Sequence, residues 1–135
     1  MKMGSILQAV LHASILLVMV LLIIHSAQGF QFNCLCDSDS FEATDVRNEC
    51  VFDLLDTLSG SIANPPNGGD FYHQKDCYGW PVYGHRWVDL TKPSAADCLV
   101  QAKNYIKETC KHRKGADVST GTTCRMRFEL YDFHY

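Results

Sequence analysis

Apolar residues fall along this chain in several different patterns. The first is an unbroken run of ten, Ile15–Ile24, near the N-terminus. Further on, Val51, Leu54, Leu55 and Leu58 recur at spacings of three and four, which predicts an amphipathic helix that Thr44 can cap and Gly60 stops. A second helix is predicted after Pro93, where Ser94-Ala95-Ala96-Asp97 reads as a capping box with Asp in place of the usual Glu. Leu99, Ala102 and Ile106 form its inward stripe, and Lys103, Lys107 and Glu108 are expected to face water. Near the C-terminus the period changes to two. Met126, Phe128 and Leu130 fall on one face and Arg125, Arg127, Glu129 and Tyr131 on the other, as a half-buried strand requires. Val82–Val88 and Ala116–Ser119 are weaker strand candidates. Ser61–Asp70 holds Asn64-Pro65-Pro66-Asn67-Gly68-Gly69 and is expected to be a loop. Two helices among loops and strands, without regular alternation, predict an α+β domain.

The early run changes the picture of where the domain begins. Lys2 supplies a positive start and Ala27-Gln28-Gly29 a small-residue cleavage site, so residues 1–29 read as a secretory signal peptide. A spanning helix needs roughly 20 apolar residues, and the run of ten falls short. The expected mature domain is 30–135, secreted and extracellular (apoplastic), with no stable membrane anchor. The full chain carries 12 Lys and Arg against 15 Asp and Glu; without Lys2 the mature part has 11 against 15, a net charge of −4. That balance argues against a nucleic-acid partner, since a nucleic-acid surface needs cations to displace counterions.

All seven cysteines, at 34, 36, 50, 77, 98, 110 and 124, lie in the mature part. Export and this density predict disulfides. The competing use is a metal site, but Cys34-Leu35-Cys36 has one intervening residue where zinc sites have two to four, so no metal and no cofactor is expected. Seven is odd, so at least one thiol is free or pairs between molecules. No enzyme is expected either: His73, His85, His112 and His134 are scattered, with no Ser or Cys in a nucleophile context. Tyr78, Trp80, Tyr83 and Trp87 could stack sugars, although filling a small core or covering a sheet edge is the simpler role. No Asn-x-Ser/Thr sequon occurs.

The segments Val82-Tyr83-Gly84-His85, Pro93 through Cys98-Leu99, Cys110, Gly115-Ala116 and Cys124 with Glu129-Leu130-Tyr131 together resemble the ginkbilobin-type domain. This plant cysteine-rich secreted module is also repeated in cysteine-rich receptor-like kinases. The family pattern runs Tyr-Gly, Cys, eight residues, Cys, two residues, Cys-Leu opening a helix, a Cys twelve residues on, Gly-Ala, and a Cys in the last strand. The leucine-rich first helix, at Val51, lies fifteen residues after Cys36, also as in the family. The resemblance implies two helices packed on an antiparallel sheet of about five strands, with bridges Cys36–Cys110 and Cys98–Cys124. Arg86 and Ala95 stand where the first two signature cysteines would be, so a bridge between those positions is missing as a pair. Cys34, Cys50 and Cys77 are left with three possible pairings, and Cys50 could equally be a buried unpaired cysteine.

Ginkbilobin is a mannose-binding antifungal lectin, so the resemblance implies a defence protein binding mannosides or a fungal cell-wall glycan. The positions of the family's sugar site, Asn, Arg and Glu, correspond here to Asp37, Asp117 and Glu129. The Glu is kept, the Arg donor is replaced by a carboxylate, and three carboxylates should repel unless a cation or Arg127 screens them. The competing expectation is an extracellular protein-interaction module on the same fold.

Overall fold

The computed structural model describes residues 3–26, 29–60 and 69–133. Ala27 and Gln28 of the expected cleavage site, most of the Ser61–Asp70 loop and His134 lie outside them. The α+β expectation holds. The domain comprises β1 (Asn33–Cys36), α2 (Arg47–Ser59), β2 (Phe71–Cys77), β3 (Trp80–Val88), α3 (Ala95–Thr109), β4 (Ala116–Ser119) and β5 (Cys124–Glu129), preceded by α1 (Met3–Ser26). The five strands form one sheet in the order β1-β4-β5-β3-β2, and every neighbouring pair is antiparallel.

Both domain helices pack on one face of this sheet. Val51, Leu54, Leu55 and Leu58 of α2 and Leu99, Ala102 and Ile106 of α3 are buried. They meet Val82 and Val88 of β3, Val118 of β4, and Met126 and Phe128 of β5 in one core. The opposite face carries Tyr83, His85 and Trp87 of β3 and Arg125, Arg127 and Glu129 of β5, and no described element covers it. Burying some ten large aliphatic and aromatic side chains, each worth about 1.5–3 kcal/mol, is what fixes the helices to this face.

Glycine sets how closely α2 approaches. A Cβ on Gly84 would stand 2.8 Å from Leu58 Cδ1 and 3.1 Å from Leu54 Cδ1, so only a residue without a side chain lets these leucines seat on β3. The β2–β3 hairpin closes through Tyr78-Gly79, both at positive φ (58° and 84°), the two-residue turn whose twist suits antiparallel strands. Three disulfides staple the layers: Cys36–Cys110 joins β1 to the end of α3, Cys50–Cys77 joins α2 to β2, and Cys98–Cys124 joins α3 to β5.

Several expectations need correction. Cys50 is bonded to Cys77, so it is not an unpaired core cysteine, and Cys34 is the free thiol among the described residues. Neither helix is capped by the side chain anticipated. Val46 occupies the N-cap of α2, and it is Asp45 that accepts the Arg47 N–H at 2.9 Å; Thr44 lies too far upstream. Ser94 does sit at the N-cap of α3, but its hydroxyl makes no cap bond. Lys103 and Lys107 do not simply point into water, because both reach Asp56 of α2, at 3.3 and 2.8 Å. The N-terminal helix is also longer than the ten-residue run. Gln8, His12 and Ser14 interrupt the apolar sequence without breaking the helix, and Met3–Leu22 is long and apolar enough to cross a membrane. Helix length therefore does not separate a signal peptide from a span here.

The two positions where the family signature has cysteines are both interior. Ala95 is buried at the start of α3. Arg86 is 2% exposed on β3, its Nη1 donating to the Gly60 carbonyl at 3.3 Å and its guanidinium lying over the Phe71 ring at 5.3 Å. Burial pushes the Arg86 guanidinium below its ordinary pKa.

Candidate functional site

Asp37, Asp117 and Glu129 come from three separate segments, and they line one open pocket of about 370 Å³. Gly115, Ala116, Arg127 and Tyr131 complete its polar side, with Leu35 and Cys36 at the β1 edge. The sheet register explains the convergence. Cys36 pairs with Ala116, which places Asp37 just beyond β1 beside Gly115, and the Asp37 N–H donates to the Gly115 carbonyl at 2.9 Å. Asp117 of β4 stands opposite Arg127 of β5, and Glu129 lies two residues further along that strand on the same face. Arg113 secures the entry segment by donating from Nη1 to the carbonyls of Asp37 and Ser38 at 3.2 and 2.8 Å.

Gly115 has a local task in this pocket. A Cβ there would lie 2.2 Å from Glu129 Oε2, so the absence of a side chain gives the Glu129 carboxylate its place. Arg127 Nε donates to Glu129 Oε1 at 3.1 Å, and Arg127 Nη2 donates to the Tyr131 hydroxyl at the same distance. Arg127 also lies over the Phe133 ring at 4.3 Å, which fixes the plane of the guanidinium. Asp117 is gripped by Arg125, whose Nε donates to Oδ1 at 2.8 Å and whose Nη2 donates to Oδ2.

The expected repulsion is therefore largely answered from within the sheet. Two of the three carboxylates each hold an arginine from β5, and these arginines were visible in sequence as the outward-facing set of the last strand. What sequence spacing could not show is that, with Arg125 paired to Ser119, its side chain reaches diagonally across to Asp117, eight residues away in the chain. Some of the repulsion persists at Glu129, whose carboxyl is pushed above its ordinary pKa by burial, with Asp37 and Asp117 adding to the rise and Arg127 opposing it.

Chemically the pocket offers carboxylate oxygens that accept hydrogen bonds, a guanidinium with N–H groups beyond the two it has committed, and the face of Tyr131, which is 56% exposed. Clustered acceptors and donors beside an aromatic face suit a polyhydroxylated ligand. The aromatic segment does not form a second such platform as a unit. Tyr78 sits in the hairpin turn and Trp80 stacks under Arg47 at 5.1 Å, while Tyr83 and Trp87 lie on the helix-free face; none of the four fills the core. Trp87 instead borders a separate depression of about 390 Å³ with Asp70, His85, Ser119, Gly121 and Arg125. His85 Nε2 and Asp70 Oδ1 are 2.9 Å apart there.

No family model and no curated protein matches the sequence. Solved structures do match the fold. The tandem DUF26 ectodomain of the Arabidopsis thaliana cysteine-rich receptor-like protein PDLP5 superposes with a TM-score of 0.65 at 16% identity, over 78% of this chain and 52% of that one. The tandem DUF26 ectodomain of PDLP8 from the same plant gives 0.63 at 18% identity, over 77% of this chain and 50% of that one. The chain thus spans about half the length of each neighbour. At these identities the likeness is one of fold.

Proposed function

We propose that this chain is an extracellular, non-catalytic binding module that takes a neutral glycan, of the mannoside or fungal cell-wall class, in the pocket of Asp37, Asp117 and Glu129. The observation carrying this reading is the convergence of those residues with Arg127 and Tyr131 on one surface depression. Vicinal sugar hydroxyls donate to carboxylates and accept from a guanidinium, and a sugar ring packs its C–H face on an aromatic. In this reading Arg127 supplies the donor whose place Asp117 has taken. A neutral sugar brings no charge to offset Glu129, so affinity for a monosaccharide is low, and longer glycans with more contacts bind better. Residues 1–29 act as the signal that delivers the domain to the apoplast.

A second reading, a protein-interaction module, is favoured by the fold neighbours, which are ectodomains of receptor-like proteins. A glycan array probed with the secreted protein separates the two. Selective signal on mannosides or fungal-wall glycans, lost in Glu129→Ala, supports the first. Silence from a protein with its three bridges intact refutes it and leaves the second.

A further inference from the structure

The free thiol of Cys34 does not stand alone. Its Sγ lies 3.3 Å from Sγ of Cys110 and 3.8 Å from Sγ of Cys36, the two partners of the bridge between β1 and α3. Two residues apart on an extended strand, Cys34 and Cys36 project from the same side of β1 toward the end of α3. Cys110 therefore has two possible bridging partners within reach. We propose that these three sulfurs form an intramolecular thiol–disulfide exchange site, in which Cys34 displaces Cys36 from Cys110.

The step balances without any outside oxidant or reductant. The Cys34 thiol loses its proton to water. Its sulfur lies beside the Cys36–Cys110 bond, and the edge strand β1 shifts until that sulfur is in line with the bond. The thiolate then attacks Sγ of Cys110. The Cys34–Cys110 bond forms as Cys36–Cys110 breaks, and Cys36 leaves as a thiolate that takes up a proton. Attack on the other sulfur is disfavoured. It would join Cys34 to Cys36, whose Cα atoms are about 6.6 Å apart along a strand, at the outer limit for a disulfide, so β1 would have to distort. Cys36 is also the farther sulfur.

Chain entropy hardly distinguishes the two isomers, since the loops span separations of 74 and 76 residues. The local surroundings of the free thiol decide between them. In the structure the free sulfur is the half-buried Cys34, whose thiol is pushed up by burial and then by Asp117. After exchange the free sulfur is on the exposed Cys36, which borders the pocket next to Asp37. Raising the pH increases the thiolate fraction and so speeds the exchange between the two isomers. β1 is an edge strand held only by β4, the position in the sheet best able to accommodate the change. The exchange thus moves the free thiol two residues along the same side of β1, from Cys34 to Cys36 at the rim of the binding pocket, whatever ligand that pocket takes.

The test is to alkylate the full secreted protein with a maleimide at mildly acidic pH and locate the adduct by fragmentation mass spectrometry. Before treatment, the label should sit on Cys34. After prolonged incubation at alkaline pH and an acid quench, a substantial fraction should move to Cys36. The rate should be independent of protein concentration, and Cys50, Cys77, Cys98 and Cys124 should stay unlabelled. In a second arm, Cys36→Ser should fold with no free thiol, because Cys34 takes its place on Cys110. Label confined to Cys34 after alkaline incubation would overturn the proposal, as would label on Cys110 or two free thiols in a folded Cys36→Ser. If that variant fails to fold, the wild-type labelling decides alone.

Discussion

Gly84→Ala is the substitution whose effect the packing fixes most tightly. The added methyl would meet Leu58 Cδ1 at 2.8 Å and the two Leu54 methyls at 3.1 and 3.2 Å. Both leucines are fully buried, and they sit on a helix tied to β2 by Cys50–Cys77, so neither can swing into solvent. The backbone itself does not object, because Gly84 lies mid-strand, paired with His73 and Phe128. Overpacking of this kind costs about 1–3 kcal/mol, and the reduced freedom of the unfolded chain returns about 0.4–1 kcal/mol. The net loss is about 1–2 kcal/mol, or roughly 5–15 °C in Tm for a domain of about this size. Thermal unfolding followed by circular dichroism measures it. Leu54→Ala alone should cost about 2–5 kcal/mol, but combined with Gly84→Ala it should cost less than the sum, since the new methyl enters the space vacated. An unchanged or raised Tm in Gly84→Ala would show that α2 does not sit on β3 at this depth.

The remaining predictions concern the bridges, the acidic groups and the pocket wall. Cys98→Ser, which opens a bridge of separation 26, should lower stability by about 3 kcal/mol in denaturant titrations and leave Cys124 free, though buried. Asp45 is held down to about 2, first by the side-chain hydrogen bond from Arg47. Its folded pKa lies below the unfolded value, so its contribution is present above about 4 and fades as pH falls toward about 2. Asp45→Asn should flatten acid unfolding in that window. Glu129 is shifted the other way, so its carboxyl should titrate above the ordinary glutamate range by NMR, and the fold should lose a little stability as pH rises through that midpoint. Gly115→Ala should displace the Glu129 carboxylate and weaken ligand binding while leaving the three bridges and the core in place.

The parts of this fold legible in sequence are those where burial imposes a period. Val51, Leu54, Leu55 and Leu58, then Leu99, Ala102 and Ile106, marked α2 and α3, and Met126 and Phe128 marked β5. β2 escaped because Phe71–Cys77 is an edge strand with Gln74, Lys75 and Asp76 in its run, only its last residue being fully buried. β1 escaped for a related reason: it is four residues long, at the other edge, and two of the four are cysteines used for bridging or left free. The three carboxylates were named from the family resemblance. The Arg127–Glu129 pair lies within β5, two residues apart, but the hold of Arg125 on Asp117 is a matter of register between β4 and β5. Register depends on tertiary pairing and cannot be counted off one chain segment. The third bridge, Cys50–Cys77, was likewise one of three pairings until β2 was placed beneath α2.

The central claim is that a glycan sits in the pocket of Asp37, Asp117 and Glu129. Amide chemical-shift mapping of the isotope-labelled protein, titrated with a linear mannotriose, tests it residue by residue. The account predicts shifts concentrated at Cys36–Asp37, Gly115–Asp117 and Arg127–Tyr131, saturating with ligand and absent in Glu129→Ala. Shifts clustered instead around Asp70, His85 and Trp87, or no shifts in a protein that keeps its three bridges, would contradict it.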